Sequence, residues 1–66
     1  MDVVINGKNT KLENSSNVEE MISETNFGGR MFVVEKNRQI VQKQDYAQTP
    51  VETGDVFEIV GFFGGG

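Results

Sequence analysis

The 66-residue sequence contains no cysteine, no histidine and no tryptophan, and a single proline. Without cysteine there are no disulfides, and without Cys or His there is no conventional zinc site, so packing alone must hold the chain together. The lack of cysteine fits a reducing compartment, and no basic segment followed by an apolar stretch opens the chain, so a cytoplasmic location is expected. Nucleophilic catalysis also loses its usual agents. There is no thiol and no imidazole base, and the hydroxyls of Ser15, Ser16 and Ser23 have nothing to activate them.

Positive charge is scarce. Six Lys and Arg stand against ten Asp and Glu, a formal net charge of −4 that repels phosphate backbones and makes nucleic acid an unexpected partner. No apolar run approaches the roughly 20 residues that span a bilayer, and no basic amphipathic stretch would hold the chain on a membrane surface. A domain this small buries only about 60% of the surface its unfolded chain exposes, which leaves little interior to hollow into an active site. An enzyme is therefore not expected, and the expected partners are proteins.

What is present reads as one small α+β domain. Asn6-Gly7 stands between two strand-like segments, the strongest short signal for a two-residue hairpin, with Met1, Val3 and Ile5 on one face of the first arm and Leu12 as the apolar contact of the second. In "NSSNVEEMISETN", Asn17 is placed to cap a helix and Glu20 to reach back as in a capping box. Val18, Met21, Ile22 and Thr25 form its apolar stripe, and Gly28-Gly29 is expected to stop it near Asn26. A second hairpin follows: a strand from about Met31 to Glu35, a turn around Asn37, and a short strand through Ile40 and Val41. "QDYAQTPVETGD" reads as a loop with one helical turn at Asp45 to Ala47. In the last strand, "DVFEIVGFF", alternation sends Phe57 and Ile59 toward the helix and Val56, Glu58 and Val60 outward.

Few side-chain groups could carry chemistry. The carboxylate pairs Glu19/Glu20 and Glu52/Asp55 are explained by helix capping and by a strand-entry turn, no acidic cluster follows a calcium-loop spacing, and Gly28-Gly29-Arg30 lacks the pattern of a phosphate-binding loop. What remains is the terminal "GGG". At roughly 7% glycine per position, three in a row at a chain end arise by chance in only about three chains per ten thousand. A carboxylate on Gly66 can attack the α-phosphorus of ATP and become an acyl adenylate open to a sulfur nucleophile. Residues without Cβ can enter a channel too narrow for side chains. The stretch from Phe62 to Gly66, fully extended, spans at most about 17 Å. The expected layout is a folded unit over 1–63 and a flexible glycine tail over 64–66.

The Asn-Gly hairpin, the "GD-V-FEIV" strand and the terminal glycines together resemble the ThiS family, the sulfur carriers of thiamine biosynthesis. That resemblance implies the ubiquitin-like β-grasp fold, a mixed sheet of four to five strands with one helix on one face and the last strand central. It implies adenylation of Gly66 by a partner related to ubiquitin-activating enzymes, which uses ATP and magnesium, this chain itself binding no cofactor or metal. Sulfur from a cysteine desulfurase relay would then replace AMP, and thiazole synthase would receive it from the thiocarboxylate. Gly64 and Gly65 would enter partner active sites, and Glu58, Val60, Phe62 and Phe63 would form the docking surface. The same chemistry serves carriers for molybdopterin or tungsten cofactor assembly, and up to the adenylate it serves ubiquitin-like modifiers. A binding module with an idle tail is a further alternative.

Overall fold

A computed structural model describes residues 1–27 and 31–62, with the backbone alone at Met31 and Phe62. Strand β1 (Asp2–Ile5) turns at Asn6-Gly7 into β2 (Lys8–Lys11), helix α1 covers Val18–Glu24, and β3 (Met31–Lys36) turns into β4 (Gln39–Val41). A 3₁₀ helix over Lys43–Gln48 precedes β5 (Val56–Phe62). The strands form one sheet in the order β2-β1-β5-β3-β4, which puts the last strand in the middle. β5 runs parallel to β1, with Val4 opposite Val56 and Ile5 opposite Phe57. It runs antiparallel to β3 from Met31 opposite Phe62 to Lys36 opposite Phe57.

The first turn forms because Asn6 (φ 51°) and Gly7 (φ 80°) both take left-handed backbone, as a two-residue hairpin of this hand requires. At the start of α1, Asn17 Oδ1 accepts the Glu20 amide at 2.8 Å. The return contact of Glu20 lands one residue earlier than a capping box predicts, on the Ser16 amide and hydroxyl, both at 2.8 Å. The helix stops near Asn26 as expected, with Asn26 itself as the left-handed residue (φ 64°). The amides of Phe27 and Asn26 bond back to the carbonyls of Ile22 and Ser23, a Schellman ending. Gly28 and Gly29 lie outside the described residues.

The core gathers Val3, Ile5, Leu12, Val18, Met21, Ile22, Val34, Tyr46, Val51, Phe57 and Ile59 between one sheet face and the helix, with Phe27, Phe32 and Val41 packed against it. Met1 does not join Val3 and Ile5. It precedes β1 and is 41% exposed, its ammonium donating to the Leu12 carbonyl at 2.7 Å. The connection read as a loop with one helical turn is more ordered than that. Its 3₁₀ helix buries Tyr46, whose ring stacks on Phe32 with centroids 6.2 Å apart. A short ladder then ties the connection to the helix start, Val18 N–H donating to Thr49 and Val51 N–H to Ser16.

Candidate functional site

Two features converge on β5: an open sheet face and the exit of the strand toward Gly64–Gly66, which lie outside the described residues together with Phe63. Alternation along β5 divides its side chains as the sequence predicts. Phe57 is fully buried and Ile59 nearly so, whereas Val56 (43% exposed), Glu58 and Val60 (58%) face away from the helix.

The register extends this outer face beyond the residues that sequence reasoning named. Val33 lies opposite Val60, Glu35 opposite Glu58, and Ile40 opposite Glu35. Val33 and Ile40 are both exposed, Ile40 at 61%. The face is thus an apolar surface around two carboxylates on neighbouring central strands. Like charges directly opposite each other destabilise a sheet. Among the described residues the one ion pair, Lys36 Nζ to Asp55 Oδ2 at 3.5 Å, does not involve either of them. Val33 and Ile40 escaped notice because "MFVVEK" is apolar on both alternating sets, so its pattern does not tell the inner face from the outer. The backbone of Phe62 pairs with Met31 at the end of this ladder.

The remaining carboxylates serve the scaffold. Glu24 accepts the Glu13 amide at 2.6 Å, the Asn14 amide at 3.2 Å and the Ser15 hydroxyl, and these bonds, the Glu13 amide foremost, hold its pKa below the usual value. The Ser16 amide and hydroxyl do the same for Glu20. Burial pushes the Asp55 carboxyl up. The Glu52 amide, the Asn37 side chain and Lys36 together outweigh that and lower it. Glu52/Asp55 is therefore a turn contact, as expected. Burial raises the Tyr46 phenol. A groove of about 380 Å³ beside Asn6 and Phe27 carries one amine, Lys8, and no carboxylate, so it holds no acid–base pair. No three His, Cys, Asp or Glu side chains among the described residues converge to hold a metal ion, and no helix there is long and apolar enough to cross a membrane.

A mixed five-stranded sheet with its last strand central and one helix across one face is the ubiquitin-like β-grasp. The crystal structure of the thiamine biosynthesis protein ThiS from Geobacter metallireducens superposes with a TM-score of 0.83 at 29% identity, covering all of both chains. A solution structure of a thiamine biosynthesis protein from the same organism gives 0.77 at 28%, covering all of this chain and 88% of the other. The sequence model of the ThiS family matches residues 3–66, and the chain belongs to that family. The sulfur carrier protein ThiS of Bacillus subtilis is 30% identical over 63 residues, covering 94% of this chain and 96% of the relative. A thiazole synthase of Paramagnetospirillum magneticum is 44% identical over 66 residues, and here the chain spans only 20% of the relative's length.

Proposed function

We propose that this chain is a sulfur carrier of thiamine biosynthesis, a co-substrate and not an enzyme, acting in the cytoplasm. The observation that carries the reading is the family match running through the glycines to Gly66. The Gly66 carboxylate attacks the α-phosphorus of ATP on an adenylating partner of the ubiquitin-activating type, where magnesium assists, and pyrophosphate leaves. A persulfide from a cysteine desulfurase relay displaces AMP to give an acyl disulfide, and a thiol then reduces its sulfur–sulfur bond, leaving the thiocarboxylate and a disulfide on the relay. Thiazole synthase takes that sulfur, and a carboxylate returns. The likeness of this chain to a segment of a thiazole synthase supports that destination over molybdopterin or tungsten cofactor assembly.

The division of labour fits the side chains. The outer face supplies docking through Val60 and Glu58, with Phe62 and Phe63 continuing toward the tail, while Gly64 and Gly65 pass the carboxylate into a narrow channel. The partners supply the catalysis that a chain without Cys or His lacks.

Intact mass spectrometry of protein from thiamine-producing cells tests this reading. The expected species carries one sulfur in place of one oxygen, mapped to a peptide ending at Gly66. Only the unmodified mass, even after incubation with ATP, a sulfide source and the adenylating partner, sinks the carrier reading. Deleting Gly65 and Gly66 should abolish the modified species and leave the melting temperature unchanged, whereas a binding module would keep its affinity.

A further inference from the structure

β1 stops at Ile5 while β5 runs on to Phe62, so on its β1 side the central strand outlasts its neighbour by several residues. The side chain of Asn6 takes over where the backbone of β1 turns away. Its Oδ1 accepts the Ile59 amide at 2.7 Å and its Nδ2 donates to the Ile59 carbonyl at 3.1 Å. The Asn6 backbone amide meanwhile donates to the Phe57 carbonyl at 2.9 Å. A carboxamide has the donor and acceptor of a peptide unit in one plane, so Asn6 adds one more rung to the parallel ladder without adding a residue to β1. Aspartate lacks the donor and glycine lacks the group. The left-handed backbone of Asn6 (φ 51°) makes the same residue suit the hairpin turn.

Resting on the carrier reading above, we propose that Asn6 is a positioning residue for acyl transfer at Gly66. The double hydrogen bond pins Ile59 to the turn on one side of β5 while β3 holds the other side through Phe62, so the end of the strand keeps one direction relative to the docking face. Four residue steps separate Phe62, the last residue of β5, from Gly66. At about 3.4 Å per step they span at most about 14 Å, over which a change of about 10° in the direction of β5 moves the end by about 2 Å. Misplacement of about 1 Å at a reacting group can cost about a hundredfold in rate, and glycine flexibility recovers only part of it. Asn6 touches no reacting atom. Its effect passes through Ile59.

The test compares the intact chain with Asn6→Gly, which keeps the left-handed turn and removes the clamp, and Asn6→Asp, which keeps the turn and the acceptor but not the donor. Amide hydrogen exchange at Ile59 reads the clamp directly, and ATP–pyrophosphate exchange with the adenylating partner reads its consequence. Asn6→Gly is expected to lose protection at Ile59 more than at Val34, whereas Asn6→Asp, which still accepts the Ile59 amide and loses only the bond to the Ile59 carbonyl, should lose less. Each should lower kcat about tenfold, with KM held within about twofold because the docking face is intact. Unchanged Ile59 protection in Asn6→Gly overturns the clamp whether or not the chain is a carrier. Faster exchange with unchanged kcat reduces Asn6 to a structural turn residue. A wild-type chain that folds, shows the clamp and supports no pyrophosphate exchange sinks the carrier reading, and the positioning role with it.

Discussion

The two faces of β5 are built from the same kind of residue and do opposite work. Phe57 and Ile59 look into the core, and Val56 and Val60 look out, all on one strand and all apolar. The inner pair is enclosed by helix, 3₁₀ segment and neighbouring strands, so its apolar area is already removed from water. The outer pair still has that area to give, and it sits beside the opposed carboxylates of Glu35 and Glu58. Hydrophobicity alone therefore does not separate the core from the proposed docking face in this protein. The side of the sheet does, because exposed apolar area gains free energy only when a partner covers it.

The comparison breaks most sharply at Phe57. A domain of this size is stable by only about 3 to 10 kcal/mol, at about 0.05–0.15 kcal/mol per residue. Phe57→Ala should cost about 3–5 kcal/mol, much or all of that margin, seen as a collapse of the urea midpoint. Val60→Ser, on the same strand, should move stability by no more than about 0.5 kcal/mol while weakening binding to the adenylating partner measured by calorimetry. Equal losses of stability at both positions would mean that the outer face is covered within the folded chain.

Acid should act next, through the scaffold carboxylates. Glu20 and Glu24 are held below an ordinary value of 4.5 and Asp55 below 3.8, so the unfolded chain takes up these protons first as the pH falls. The stability they contribute is fully present above those ordinary values and is lost as the pH drops through the lowered folded ones. The urea midpoint should accordingly stay level near neutrality and fall in acid, and Glu24→Gln should make that fall shallower. A midpoint that rises in acid, or an unaltered slope in Glu24→Gln, would contradict the hydrogen-bond assignment.

The smallest effect sharpens the comparison from the other side. Glu35→Gln removes one of two like charges facing each other across the central strands and should raise stability by about 0.2–1 kcal/mol. The same change should weaken partner binding if the pair meets a cation on docking. A destabilised variant would show that Glu35 has a favourable partner within the fold.

Much of this was legible in the residues. The Asn6-Gly7 turn, the Asn17 cap, the stripe of Val18, Met21 and Ile22, and the division of β5 into inner and outer sets all follow from local rules of backbone conformation and period, which need no knowledge of distant neighbours. Tyr46 escaped because a single aromatic in a polar stretch has no period, and what buries it is its stack on Phe32, fourteen positions away. Asp55 was legible as a turn residue, but its contacts with Asn37 and Lys36 depend on a hairpin that reaches it only in the folded chain.

The sequence by itself determined the elements, their order, the lack of any thiol or imidazole, and the glycines on which the proposed chemistry rests, since each depends on residue type and on spacing along the chain. Only the tertiary structure decided that Val33, Glu35 and Ile40 share a face with Glu58 and Val60, and that Asn6 grips Ile59 from 53 residues away. Those pairings join distant stretches of chain, and strand register depends on how the whole sheet buries its inner face, a condition that no local stretch carries.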